Sequence, residues 1–227
     1  MIRIFVGFDP KEEAVYHVLC ASILRRSSVP VQFTPVALST LKGVFNRERN
    51  PLQSTEFSFS RFLVPYLSGY EGWSIFMDND MLMLDDIAKL WGMRDDRYAI
   101  MCVQHEHNPT EDVKFRSQVQ TKYERKNWSS VMLMNNAKCK ALTPAYVETA
   151  TGLDLHRFRW LKDEEIGAIP ARWNHLVDYD PHLPINQISN LHYTEGGPYF
   201  ADYRNCGYAE EWIDEYRRTI APLKSAL

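Results

Sequence analysis

Apolar residues recur along this chain with two different periods, and the alternation between them predicts its elements. Ile2 to Phe8 is an apolar run closed by Gly7-Phe8-Asp9-Pro10, the pattern of a buried parallel strand followed by a turn. Val15, Val18, Leu19, Ser22 and Ile23 then repeat at helical spacing, with Arg25 and Arg26 in the last turn. Val31 to Leu38 returns to a strand pattern. Strand, helix, strand predicts an α/β sheet with right-handed crossovers. From Lys42 to Ser60 the periodicity breaks down, and Asn46-Arg47-Glu48-Arg49-Asn50-Pro51 reads as a mobile loop.

Beyond it, Ser60 to Leu67 predicts a short helix despite Pro65. Trp73 to Met77, Tyr98 to Val103 and Val131 to Met134 predict strands, as does the short segment Leu191 to Thr194. Ile87 to Trp91 and Ala209 to Ile220 predict helices. Thr143-Pro144 opens another helix, which Gly152 is expected to stop. No repeat or linker divides the chain. The expectation is one domain over residues 1–227, in two parts that meet at about residue 104.

Composition narrows the function classes. The 227 residues are 45% hydrophobic and 24% charged, which excludes a disordered chain or a coiled coil. A net charge of -3 gives no global basic field, so no nucleic-acid partner is expected. The four cysteines lie far apart without a CxxC pair and read as buried thiols in a reducing compartment. No apolar run is long enough for a signal peptide or a membrane span, so the expected location is cytoplasmic, with peripheral membrane attachment left open.

The candidate chemistry begins at Ile75-Phe76-Met77-Asp78-Asn79-Asp80. Two carboxylates two residues apart stand at the carboxyl end of an apolar strand, the edge where open α/β sheets bind ligands. Such a pair can hold a hard divalent cation, and Asp85 and Asp86 add charge that a cation would relieve. The alternative is an ordinary polar turn. His192, followed by Gly196-Gly197 and the aromatic pair Tyr199-Phe200, can complete a carboxylate metal site or simply sit hydrogen-bonded in a packed turn. Arg61, among Phe57, Phe59 and Phe62, is a candidate anion clamp or a packed structural cation. Lys162-Asp163-Glu164-Glu165 can supply a base, but such a run is usually a solvated helix start. His105-Glu106-His107 reads as a loop, and Lys122, Arg125 and Lys126 as a small basic patch.

The order of these features resembles the glycosyltransferases of the GT-A fold, and most closely the family 8 type that includes glycogenin and the lipopolysaccharide galactosyltransferases. The resemblance runs from Gly7-Phe8-Asp9 through Ser60-Arg61-Phe62, Asp78-Asn79-Asp80 and Asn127 to Asn135, to His192 and its glycine-rich turn. It implies a single Rossmann-like α/β domain with a central, mostly parallel sheet flanked by helices. It implies a transferase moving sugar from a nucleotide-diphosphate donor, a UDP-sugar, to a hydroxyl on a glycan, lipid-linked or protein acceptor, in glycan or lipopolysaccharide-type synthesis.

Position by position, the resemblance puts Phe8 and Asp9 by the base and ribose, and Arg61 near the donor. Asn127, Trp128 and Ser129 would lie by the donor sugar, and Gly196 and Gly197 in the closing turn. Asp78, Asp80 and His192 would bind Mn²⁺ or Mg²⁺. Asp163 and Glu164 stand nearest the family's catalytic Asp-Gln pair. The chain departs from the family pattern at Trp128-Ser129-Ser130, at Glu195, and at Pro198, where the family carries a diphosphate-binding Lys; Arg61 and Arg204 are the candidate replacements. A retaining outcome is expected ahead of an inverting one, and Lys42 to Ser58 is the candidate lid. The competing expectations are a nucleotidyltransferase on a related fold, a nucleotide-sugar binder without turnover and, more distantly, a phosphatase of the haloacid dehalogenase type.

Overall fold

Strand β1 (Ile2–Gly7) begins the sheet, and its side chains alternate between two cores. Ile2, Ile4 and Val6 face one, Phe5 the other. The computed structural model describes residues 1–48, 53–105 and 125–221. Arg49 to Leu52 of the expected mobile loop, Glu106 and His107, and Lys122 lie outside them.

Helix α1 (Glu13–Arg26) returns the chain to β2 (Val31–Val36), which pairs parallel to β1. Pro35 sits within β2, and the strand accommodates it because β2 is the sheet's edge. A 3-10 turn over Ser60–Leu63 leads into α2 (Val64–Leu67), where Pro65 occupies the first turn and loses no helical hydrogen bond. Strand β3 (Trp73–Met77) is buried throughout and is followed by β4 (Met81–Met83) and α3 (Ile87–Trp91). Then come β5 (Ile100–Cys102) and β6 (Val131–Asn135).

Helix α4 (Pro144–Thr149) is capped by Thr143, as expected. Gly152 does not end it. The helix stops at Thr149, and Gly152 opens α5 (Gly152–His156), because the Thr151 hydroxyl caps the Asp154 N–H at 3.1 Å and starts a new turn. Strands β7 (Ile166–Ala168), β8 (His175–Leu176) and β9 (Asn190–His192) and helix α6 (Ala209–Ile220) complete the order.

The main sheet runs β2-β1-β3-β6-β5-β7, with β6 antiparallel to its two neighbours and the other pairs parallel. Its strands read as continuous apolar runs because both faces are covered. Phe76, Met132, Met134 and Ile100 pack with Phe57, Phe62, Leu142 and Phe158 on one face. Ile75, Leu133 and Met101 pack with Leu19 and Ile23 of α1 and Ile87 of α3 on the other. A second sheet, β4-β9-β8, pairs Met81 with His192 across an antiparallel register. No helix among the described residues is long and apolar enough to cross a membrane.

Helix α6 docks on α1 through Glu215, which is 2% exposed and accepts from Arg25 Nε and, at 3.0 Å, from Arg26 Nη1. The two arginines keep partial solvent contact, so Glu215→Ala is expected to cost about 2–3 kcal/mol rather than the full penalty of a broken buried ion pair. Thermal melts check this, and an unchanged melting temperature would remove the clamp from the fold's stability.

Candidate functional site

The carboxyl end of β3, the start of β6 and the turn that follows β1 open onto a cavity of about 470 Å³. Gly7 ends β1 where only hydrogen fits: a Cβ there would lie 2.4 Å from the Phe57 ring. Asp78 follows Met77 directly, and its N–H donates to the Ser130 carbonyl at 2.9 Å, continuing the β3–β6 ladder by one residue. Asn79 turns inward and donates to Glu12 at 3.1 Å. The Asp80 carbonyl accepts the Tyr193 N–H at 2.9 Å, which fixes the turn against β9. Backbone pairing therefore aims the Asp78 and Asp80 side chains at the same space that His192 enters from β9.

The ligand atoms of Asp78, Asp80 and His192 all lie within 4.8 Å of one another. Arg61 Nη1 stands 2.7 Å from Asp78 Oδ1, and His192 Nε2 stands 3.3 Å from Asp80 Oδ1. Both carboxylate oxygens are buried, and neither receives a bond of hydrogen-bond geometry from these neighbours. Burial pushes the Asp78 carboxyl up to about 6, against the pull of the Arg61 guanidinium. Burial also acts to raise Asp80, but the neighbouring His192 outweighs it and holds the carboxyl below its ordinary range. For His192 burial acts downward, and the Asp80 carboxylate more than reverses it. Two buried carboxylate oxygens without hydrogen bonds, facing an imidazole nitrogen, make a donor set that fits a divalent cation. Asp85 and Asp86 do not belong to it: Asp86 caps α3 at Ala88 N, and Asp85 pairs with Lys89 at 2.7 Å. The charge that the sequence offers to a cation there is used by a helix start and its first turn.

Of the other sequence-derived candidates, Arg61, Asn127, Ser129 and Gly196 also line the cavity. Asn127 adopts a left-handed backbone at φ 63. Its carbonyl accepts from the Ser130 hydroxyl at 2.7 Å, tightening the turn into β6. The Ser129 carbonyl accepts from Arg61 Nη1 at 3.1 Å. Gly196, at φ 128, brings the chain against Tyr203. Phe8, Asp9, Trp128 and Gly197 are not among the lining residues. Phe8 packs edge-on against Tyr16. The Asp9 carboxylate is buried on the backbone N–H groups of Lys11 and Glu56. Trp128 Nε1 donates to the His105 carbonyl.

Asp163 and Glu164 stand apart from the cavity as well. Asp163 is 85% exposed, pairs with Arg125 and opens the short 3-10 helix Asp163–Glu165, the setting of a solvated helix start. Arg204 is exposed and outside the lining.

Gln53, Ser54 and Thr55, within the candidate lid, line the cavity as well, and so does Glu12, which sequence reasoning missed. Burial, followed by the Asp80 charge, pushes the Glu12 carboxyl up to about 7. Its signal was its place three residues after Asp9, in the first turn beyond β1. The described part of the candidate lid is anchored: Phe45 and Phe57 are buried, and Arg47 donates to the carbonyls of Val147 and Ala150 and lies over the Phe59 ring.

His156 also faces the cavity, with Nδ1 2.7 Å from the Ser129 hydroxyl and its ring edge-on to Phe62. Burial pushes its imidazole down from 6.5 to about 3, with Arg61 adding and a bond to the Ser58 backbone opposing. The unfolded chain therefore takes up a proton at this residue before the folded one does. His156 contributes stability that is full above pH 6.5 and is lost as pH falls toward 3. His156→Phe is expected to shrink the drop in melting temperature between neutral and acid pH. Equal pH dependence in both proteins would assign the acid sensitivity elsewhere.

No protein-family model matches the chain. Its structure is similar to that of the glycosyltransferase GlyE of Streptococcus pneumoniae TIGR4, with a TM-score of 0.64 and 14% identity over 95% of this chain. The chain spans 60% of GlyE. It is similar also to the galactosyltransferase LgtC in complex with donor and acceptor sugar analogues, with a TM-score of 0.60 and 14% identity over 98% of each chain. The likeness to mouse xyloside xylosyltransferase 1 has a TM-score of 0.51, at 13% identity over 84% of this chain and 97% of that one. The fold is that of the GT-A glycosyltransferases. Within it, the chain belongs to the same family as Protein CDI of Arabidopsis thaliana, to which it is 51% identical over 220 residues, 94% of this chain and 85% of that protein.

Proposed function

We propose that the protein is a metal-dependent glycosyltransferase that moves a sugar from a nucleotide-diphosphate donor, a UDP-sugar, to a hydroxyl acceptor on a glycan, a lipid-linked sugar or a protein. The observation that carries this reading is the convergence of Asp78, Asp80 and His192, with two hydrogen-bond-free carboxylate oxygens, in a cavity at the carboxyl edge of the sheet. These three residues would hold a divalent ion, and two hard oxygens with one imidazole nitrogen favour Mn²⁺ over Mg²⁺. When bound, such an ion offsets the charge that the diphosphate gains as its bond to the sugar breaks.

The rest of the work falls to the chain. Arg61 keeps Asp78 ionised and ties the Ser129 carbonyl to the same guanidinium, so the metal side and the sugar side of the cavity are fixed together. Asn127, Ser129 and the Ser130 turn offer polar groups to sugar hydroxyls. Tyr199, Phe200 and Tyr203 give an apolar wall that excludes water from the reacting bond. A retaining outcome is proposed ahead of an inverting one; Asp163 and Glu164 do not line the cavity, and a carboxylate there that an inverting reaction could recruit as a base is Glu12. The single-domain reading is kept, since residues 1–104 supply the two carboxylates and 105–227 supply His192.

Calorimetry and thermal shift with UDP and UDP-sugars, with and without Mn²⁺, test this proposal, together with analysis of the products. Metal-dependent UDP binding with slow release of UDP from the donor is the expected result. Binding without release would indicate a nucleotide-sugar binder, release of a sugar phosphate a nucleotidyltransferase, and release of inorganic phosphate a phosphatase. Absence of metal-dependent nucleotide binding would overturn the reading.

A further inference from the structure

Asn174 lies behind the metal-ligand cluster, fully buried, at the end of the 3-10 turn Ala171–Trp173. It bonds to three residues in two separate segments. Its Oδ1 stands 2.9 Å from His192 Nδ1, and its Nδ2 donates to the Ser130 hydroxyl at 2.9 Å and to the Asn127 carbonyl at 3.4 Å. The hydrogens in this network are determined by elimination. The Asn127 carbonyl can only accept. The Ser130 hydroxyl has one hydrogen, and it points to that same carbonyl at 2.7 Å, so toward Asn174 the hydroxyl can only accept. The Asn174 NH₂ group must therefore face Ser130 and Asn127, and its oxygen must face His192. An oxygen at 2.9 Å requires a hydrogen on His192 Nδ1, and in the neutral ring that leaves the lone pair on Nε2, the atom beside Asp80.

We infer that Asn174 is a positioning residue that fixes the His192 ring in the Nδ1–H tautomer, presenting the Nε2 lone pair to the cation. This rests on the metal reading of Asp78, Asp80 and His192 above. Rotating the amide would set its NH₂ against Nδ1, its oxygen against the Asn127 carbonyl, and lose both bonds, so the Ser130–Asn127 turn serves as the template for the tautomer. The same amide links the turn that carries Ser129 to the histidine, so one buried side chain sets the spacing between two walls of the cavity. Partners of this kind commonly change metal affinity by roughly 10- to 100-fold when removed.

The test uses the full chain in three forms: the parent, Asn174→Ala, and Asn174→Asp, which keeps an oxygen for Nδ1–H but loses the NH₂ group. Ring ¹⁵N spectra of the metal-free proteins at about pH 9, where imidazoles are neutral, report the tautomer, with the His192 signal assigned by difference from His192→Gln. Mn²⁺ titration by calorimetry reports the affinity. Expected are the Nδ1–H tautomer in the parent and in Asn174→Asp, a mixed or Nε2–H population in Asn174→Ala, and roughly 10- to 100-fold weaker Mn²⁺ binding in Asn174→Ala with partial recovery in Asn174→Asp. An Nε2–H tautomer in the parent would overturn the inference without any variant, and so would a folded Asn174→Ala with parental tautomer and affinity. A parent that binds no Mn²⁺ would defeat the metal reading instead, while the tautomer measurement would still decide what Asn174 does.

Discussion

Asp80→Ala is expected to weaken metal-dependent UDP binding by a hundredfold or more, roughly 3 kcal/mol at 1.4 kcal/mol per decade, while leaving the chain folded. The side chain supplies one of three converging ligand atoms. The backbone contact that holds this turn against β9, Asp80 carbonyl to Tyr193 N–H, survives the substitution. Asp85→Ala is the matched control, since it removes the same charge from a position that serves α3 rather than the cavity. Calorimetry with UDP and Mn²⁺ on both variants separates a specific ligand from a general field effect. Parental affinity in Asp80→Ala would mean that the cluster does not bind the ion.

The second large effect is expected at Arg61. Its side chain is nearly buried, paired with Asp78 and bonded to the Ser129 carbonyl, and its guanidinium lies 5.3 Å from the Phe57 ring centre and 5.2 Å from that of Phe76. Arg61→Ala leaves a buried carboxylate without its cation and opens a void between two aromatic rings. A loss of about 3–5 kcal/mol follows from breaking a buried pair at one end, or roughly 6–20 °C at 2–4 °C per kcal/mol for a chain of this size. Donor turnover should fall with it. Arg61→Lys keeps the charge but cannot make both contacts, and an intermediate result is expected. Arg204→Ala, at an exposed position outside the cavity, should leave melting and turnover at parental values. Melting curves and donor kinetics for the three variants check the set. A parental melting temperature in Arg61→Ala would show that the pair contributes no net stability.

The sheet was legible in the sequence because β1, β3 and β6 are covered on both faces and so appear as apolar runs with abrupt polar ends. That abruptness also marked Asp78 and Asp80, and the Gly196-Gly197 turn marked His192. Strands β4 and β8 were not legible, since two or three residues carry no period. Gly152 misled because a glycine between helical patterns signals a stop, whereas the Thr151 hydroxyl makes it a start. Glu12 was hidden for a similar reason: an acid in the first turn of a helix is ordinary, and only the fold reveals that this one faces two aspartates across a cavity. Asp85 and Asp86 lent weight to the metal reading although their own hydrogen bonds account for them. Asp163 and Glu164 were singled out by resemblance, and nothing in the local pattern distinguished them from a solvated run.

The pairing of β4 with β9 has a consequence for the order in which the molecule becomes competent. Asp80 stands immediately before β4, and His192 is registered opposite Met81, more than a hundred residues further along the chain. Strands β1, β2 and β3 pair across shorter sequence separations than β4 and β9 do, so this half of the sheet has the smaller loops to close and can form earlier. The cluster needs a contact of very long sequence separation and comes into being only when β9 docks. On a ribosome, where residues emerge in order, the two carboxylates would be made long before their imidazole partner and before the Ser130 and Tyr193 backbone groups that orient them. Nascent or truncated chains that lack β9 would have neither the imidazole nor the Tyr193 N–H that fixes the Asp80 turn, so competence to bind the ion would report that the whole chain has folded.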